Sequence, residues 1–141
     1  MNAAEHLHEL GQSLWLDNIT RGLLASGKLQ RYVKDFAVTG LTSNPTIFEH
    51  AIRSTSSYDE AIREMAMDGT SCEDLFFDLA LEDLGRAAEI FQPAYKATGG
   101  TDGWVSLEVS PLLANDAAAT VREAARLHAR CESPNIFIKI P

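Results

Sequence analysis

Four short apolar runs separated by helical stretches predict a parallel α/β protein, because strands divided by helices join as parallel neighbours through right-handed crossovers. Polar residues inside those runs favour a (β/α)8 TIM barrel over an open doubly wound sheet. The common nucleotide-binding versions of the open sheet also lack support: no G-x-G-x-x-G follows the first run, and no G-x-x-x-x-G-K-[ST] occurs anywhere. A complete barrel takes about 250 residues, whereas these 141 residues supply four strands. Residues 1–141 are therefore expected to form the N-terminal half of one barrel domain. Its open strand edges would need the missing C-terminal half, or a second copy, to cover them.

The first run is Ser13-Leu14-Trp15-Leu16-Asp17 and the second is Phe36-Ala37-Val38-Thr39-Gly40-Leu41. Residues 20–33 between them carry Leu23, Leu24 and Leu29 at near-helical spacing, although Gly22 and Gly27 weaken a single continuous helix. Three or more helices are expected next, from the start signals Asn44-Pro45, Ser57 before Tyr58-Asp59-Glu60, and Ser71 with Asp74 three residues on. Leu75, Phe76, Leu79 and Ala80, then Leu84, Ala87, Ala88 and Phe91, follow the spacing of one buried helical face. Gly99-Gly100 ends this region and Asp102-Gly103 introduces the third run, Trp104-Val105-Ser106-Leu107-Glu108-Val109. Asn115 or Asp116 caps a helix whose buried face is Val121, Ala124, Ala125 and Leu127, and Ser133-Pro134 precedes the fourth run, Asn135-Ile136-Phe137-Ile138-Lys139-Ile140. The order is β-α-β-ααα-β-α-β.

Composition excludes several functions. With 12 Lys+Arg against 20 Asp+Glu the formal charge is -8, which opposes attraction to a polyanion, so no nucleic-acid partner is expected. No stretch approaches the roughly 20 apolar residues that span a bilayer, and the start Met1-Asn2-Ala3-Ala4-Glu5-His6 lacks the basic, apolar character of a signal peptide. A soluble cytoplasmic protein with no membrane partner is expected. Cys72 and Cys131 read as ordinary reduced thiols. His6, His8, His50 and His128 show no ligand spacing such as H-E-x-x-H, so no metal is expected. Trp15 and Trp104 read as packing in or near the barrel wall, and Glu82-Asp83 as a solvated helix face.

Barrel enzymes place catalytic groups at the C-terminal ends of their strands, and three runs carry a charge there: Asp17, Glu108 and Lys139. Period-2 alternation sets Trp104, Ser106 and Glu108 on one face and Val105, Leu107 and Val109 on the other; in the fourth run Phe137 and Lys139 oppose Ile136, Ile138 and Ile140. Each charge also has a plainer reading. Asp17 is placed to cap the next helix, and Glu108 to be a solvated residue on a half-exposed sheet. Lys139 is one of four lysines and alone among them lies within an apolar run. Desolvation there favours the neutral amine that attacks a carbonyl, as a Schiff-base nucleophile must. The alternative is a structural partner for a buried carboxylate such as Glu108, and the two roles are compatible.

Leu41-Thr42-Ser43-Asn44-Pro45-Thr46-Ile47-Phe48 closely resembles the T-[TS]-N-P signature of transaldolases, and Asn135-Ile136-Phe137-Ile138-Lys139-Ile140-Pro141 looks like the strand carrying their Schiff-base lysine. Trp15-Leu16-Asp17 and Val105-Ser106-Leu107-Glu108-Val109 match the other two catalytic strands in the right order. The resemblance covers essentially the whole chain. The stretch from Gly99-Gly100 to Pro111 is most similar to the longer bacterial transaldolases, some of which carry a fused phosphoglucose isomerase domain.

The resemblance implies transfer of a dihydroxyacetone unit from fructose 6-phosphate or sedoheptulose 7-phosphate to an aldose phosphate, glyceraldehyde 3-phosphate or erythrose 4-phosphate. This is pentose phosphate pathway chemistry, with sugar phosphates as partners and no cofactor. It implies Lys139 as the nucleophile at the ketose C2, Glu108 as a proton shuttle acting through water, and Asp17 as the base at the C4 hydroxyl. Asn44 and Thr42 would orient substrate hydroxyls, and Ser43, where many relatives have a second threonine, belongs to the same substrate-binding segment. Phosphate-binding residues are expected on strands beyond residue 141, and turnover in the complete barrel rather than in this chain alone. Two other readings stand beside it: a class I aldolase that releases the free triose ketone, and an inactive half-barrel interaction module.

Overall fold

The computed structural model describes residues 3–140; Met1, Asn2 and Pro141, the last residue of the lysine motif, lie outside the described residues. In chain order the elements are α1 (Ala3–Glu9), β1 (Leu14–Asp17), α2 (Arg21–Ala25), α3 (Lys28–Phe36), β2 (Val38–Thr42), α4 (Pro45–Ser54), α5 (Asp59–Met67), α6 (Cys72–Ala97), β3 (Trp104–Glu108), α7 (Ala117–Ala129) and β4 (Ile136–Lys139). Short 3-10 turns lie at Ser56–Tyr58 and Pro111–Leu113. The four strands form one parallel sheet in the order β1-β2-β3-β4. Sequence neighbours are thus sheet neighbours throughout, with none of the order reversal that marks a doubly wound sheet.

The outer face of the sheet holds the core. Leu41, Val105, Leu107, Val109 and Ile136 are at most 3 % exposed, and they pack with the buried stripe of α6, formed by Leu84, Ala87, Ala88 and Phe91. Small alanines in that stripe let a 26-residue helix lie close against the sheet. Gly103 fixes the junction between α6 and β3. It has φ 86°, and a Cβ there would stand 2.3 Å from the Tyr95 backbone nitrogen, while its own N–H donates to Thr39 O at 2.7 Å.

Several elements differ from the sequence reading. Residues 20–33 split into α2, capped by the Thr20 hydroxyl accepting from the Leu23 N–H, and α3, which starts after Gly27 at φ 73°. The second strand begins at Val38 rather than Phe36. Phe36 closes α3, edge-on to Tyr32 one turn earlier, and Ala37 at φ 50° ends the helix. Asn44, Ser71 and Asp116 cap α4, α6 and α7, whereas the turn leading into α5 is capped by Thr55 instead of Ser57. On α7, Val121 and Ala125 point outward. Thr120 takes the inward place because its hydroxyl is satisfied by donation to Leu113 O and Asp116 O. Helix α1 has no buried residue, hence no apolar face to announce it; His8 on it lies 3.9 Å from the Asp102 carboxylate, which also accepts from Ser13 Oγ.

The largest departure is Asp83. Expected on a solvated face with Glu82, it is completely buried, while Glu82 beside it is exposed. Its carboxylate accepts from the Tyr58 hydroxyl at 2.8 Å and from Arg21 Nε at 3.1 Å. Arg21 Nη1 and Nη2 reach Ser57 O and Glu82 Oε2, and the guanidinium lies 4.5 Å from the Tyr58 ring centre. Burial pushes the Asp83 carboxyl up against the pull of Tyr58 and Arg21, and burial together with Asp83 pushes the Tyr58 hydroxyl up.

Two stability predictions follow from these contacts. Asp83→Ala takes the buried acceptor from both Arg21 Nε and the Tyr58 hydroxyl, leaving the nearly enclosed guanidinium only the exposed Glu82 as a counter-charge, and is expected to cost about 3–5 kcal/mol, against at most about 1 kcal/mol for Glu82→Ala on the exposed side, both read by urea unfolding. Gly103→Ala meets backbone at positive φ and is expected to cost about 2–4 kcal/mol. Gly100→Ala has positive φ but only the Tyr95 side chain at 3.4 Å nearby, so the same measurement should show about 1–2 kcal/mol.

Candidate active site

Parallel strands that end together present their last side chains to one edge of the sheet. Here the last residues of β1, β2, β3 and β4 are Asp17, Thr42, Glu108 and Lys139. The ladder pairs Asp17 with Thr42, Thr42 with Ser106, Ser106 with Phe137, and Glu108 with Lys139. Because side chains alternate along a strand, that pairing puts Trp15, Asp17, Gly40, Thr42, Trp104, Ser106, Glu108, Phe137 and Lys139 on the inner face.

Lys139 Nζ and Glu108 Oε2 are 2.6 Å apart, a charge-assisted contact between register partners. The apolar residues around Lys139 in sequence do not surround it in space. Ile136 and Ile138 turn to the outer face, and the lysine side chain is 37 % exposed beside a carboxylate that is 13 % exposed. A lysine enclosed in hydrocarbon, as its run suggests, is therefore replaced by an ion pair at the mouth of the sheet. The structural pairing weighed from the sequence is present, and it is compatible with a chemical role.

Asp17 stands exposed on the opposite edge strand, and among the described residues nothing bonds its carboxylate. Thr42 Oγ1 accepts from Ser106 Oγ at 2.8 Å. Asn44 uses Oδ1 to cap α4 through the Ile47 N–H at 2.9 Å, with Pro45 at the first helical position, which leaves its side-chain NH2 as a donor. Ser43 does not join this group. It is 1 % exposed and its hydroxyl donates to Ser106 O at 3.1 Å, tying the end of β2 to β3.

Below the polar residues lies an aromatic floor. The Trp15 ring rests on Gly40, where a Cβ would stand 2.5 Å from the indole. Having crossed β2, the ring meets Phe137 at 5.7 Å between centroids, and Phe137 meets Trp104 at 5.6 Å. In a flat sheet β1 and β4 would be three spacings, about 14 Å, apart, so this contact marks a concave inner face. Trp104 is held by donation to Gly100 O at 2.8 Å and by the edge-on Tyr95 ring. Period-2 alternation sets Ser106 on this face without giving it a role, and Gly40 stands out in the sequence only as part of the second run. The signals were a serine in step with Glu108 and a glycine inside a strand.

Among the described residues no group of three or more His, Cys, Asp or Glu is placed to hold a metal ion, and no helix is long and apolar enough to cross a membrane.

A family model described as Transaldolase/Fructose-6-phosphate aldolase matches residues 14–141. A transaldolase of Saccharopolyspora erythraea is 45 % identical over 137 residues, which are 97 % of this chain and 37 % of that protein. Transaldolases of Arthrobacter sp. and Thiobacillus denitrificans are 41 % and 38 % identical over 97 % and 100 % of this chain, again over only 37 % and 39 % of their own lengths. The chain thus spans less than two fifths of the relatives it matches, and the matched part begins at β1 and takes in all four strands and every residue of the inner face. By that match the chain belongs to the transaldolase/fructose-6-phosphate aldolase family, with the α/β fold of the first part of its barrel.

Proposed function

We propose that this chain supplies the first four strands, and the carbonyl-handling residues, of a transaldolase acting on sugar phosphates in the cytoplasm. The observation that carries the reading is the Lys139–Glu108 pair at the ends of adjacent strands, 2.6 Å apart: an amine and a proton carrier already in contact. The remaining strands, with the groups that grip the substrate phosphate, belong to the rest of the complete protein. A fused phosphoglucose isomerase domain is no part of the proposal.

In the proposed sequence Lys139 gives up a proton and its Nζ attacks C2 of the ketose, forming a C–N bond while the carbonyl electrons move onto oxygen. That oxygen takes one proton from the attacking nitrogen and a second, the one Lys139 gave up, back from Glu108 through water, so that it leaves as water and an iminium forms. Asp17 takes the C4 hydroxyl proton. The C3–C4 bond then breaks, the shortened aldose departs as an aldehyde, and the bonding pair is accommodated by the iminium as an enamine on Lys139. Addition of the enamine to an acceptor aldehyde and hydrolysis of the new iminium complete the transfer. Thr42 and the free amide of Asn44 are the donors available to substrate hydroxyls, and Ser43 serves by tying their segment to β3.

The family description names aldolase activity as well, and the acceptor decides between the two. Release of free dihydroxyacetone from fructose 6-phosphate without an acceptor aldose marks an aldolase; dependence on the acceptor marks a transaldolase.

In the complete protein, borohydride with fructose 6-phosphate is expected to leave a mass adduct confined to the peptide containing Lys139, and Lys139→Met to abolish it. An intact, folded protein without that adduct would overturn the mechanism. Glu108→Gln is expected to slow adduct formation by about 100-fold or more without preventing substrate binding, as followed by quenched-flow trapping. Asp17→Asn should still form the adduct while cleavage of the C3–C4 bond falls by about 10²–10⁴-fold, measured as release of glyceraldehyde 3-phosphate from fructose 6-phosphate in a single turnover.

A further inference from the structure

Ser106 sits at the centre of the inner face, two residues before Glu108 and opposite Thr42 in the ladder. It is 1 % exposed, so its hydroxyl proton has to be placed on an acceptor, since a buried polar hydrogen without one is costly. Among the described residues the acceptor is Thr42 Oγ1 at 2.8 Å. The Ser106 backbone is held in turn by the Ser43 hydroxyl, which donates to its carbonyl at 3.1 Å. Thr42 is only partly buried, and its oxygen has no other bond among the described residues. With one lone pair taken by Ser106, the Thr42 proton is directed away from β3. Thr42 itself stands on the concave face between Asp17 on one side and the Glu108–Lys139 pair on the other.

We propose that Ser106 is a positioning residue: by donating to Thr42 it commits the Thr42 hydroxyl to act as a donor into the site, toward an acceptor oxygen of the bound ketose phosphate. Without it the threonine hydroxyl is free to rotate, and the site offers a hydroxyl of either polarity instead of a fixed donor. The inference rests on the functional reading above and adds the direction of one proton to it.

The test is a double-mutant cycle in the complete protein, with fructose 6-phosphate as the varied substrate. Ser106→Ala is expected to raise KM about five- to tenfold, the scale of one net hydrogen bond, with the effect falling on KM rather than kcat. Thr42→Val is expected to raise KM at least as much. Because Ser106 acts through Thr42, adding Ser106→Ala to Thr42→Val should raise KM no further, and Ser106→Thr, which keeps the hydroxyl, should restore wild-type KM. If Ser106→Ala fails to fold, Ser106→Cys, a weak donor, carries the same cycle. An equal rise in KM in both backgrounds, or none in the wild-type background, overturns the proposal. Loss of the borohydride adduct in the wild-type protein itself is a different result and would overturn the functional reading first.

Discussion

Ladder pairing of Asp17 with Thr42, Thr42 with Ser106 and Glu108 with Lys139 sets the inner face of four strands in step. A slip of one residue at any of these pairings would turn that strand's polar residues into the helical layer and its aliphatic residues onto the concave inner face. The register is held from outside. Val105, Leu107 and Ile136 have their places against α6 only in this alignment, and the Ser43 hydroxyl and the Gly103 N–H add bonds across β2 and β3 that a shifted strand would lose. Burial of one face therefore determines which residues meet on the other, and the Lys139–Glu108 contact is a product of that alignment.

The helical layer also reaches the site through a buried charge. Arg21 lies four residues beyond Asp17, at the start of α2, and binds Asp83 in the middle of α6, the helix that covers β3. Tyr58 closes the group by accepting from the Arg21 backbone N–H and donating to Asp83. The loop that follows Asp17 is thus anchored to the helix that positions Glu108, although the two strands are not neighbours. Such an ion pair contributes little net stability relative to a hydrophobic substitute. Its directional bonds fix the position of this loop in a way that interchangeable aliphatic contacts would not.

The strands and the charged residues at their ends were legible because both rest on local patterns: period-2 alternation around Trp104–Glu108 and short runs bounded by turn residues. Caps at Asn44, Ser71 and Asp116 were legible for the same reason, each being a side chain satisfying an N–H three residues on. What escaped depended on partners distant in sequence. Asp83 looks like Glu82 until Arg21 and Tyr58 are brought beside it, 62 and 25 residues away. The isolation of Lys139 among isoleucines read as enclosure because sequence adjacency hides which face each residue takes. Val121 fits the apolar spacing of α7, yet Thr120 goes inward because carbonyls of the preceding turn receive its hydroxyl. Ser43 belongs to a signature segment but is turned into the fold, which only the position of the Ser106 carbonyl reveals.

The aromatic floor has an optical consequence. Trp15 and Trp104 are the two tryptophans of the chain, and both stand beneath the polar ends of their strands, one inner-face residue below Asp17 and two below Glu108, in contact with Phe137. The indole emission of this segment therefore originates beside the candidate site, while the helices outside the sheet contribute none. A change of polarity or quenching above the floor is read directly by these two rings, which makes this part of the fold its own spectroscopic reporter of what lies over the concave face.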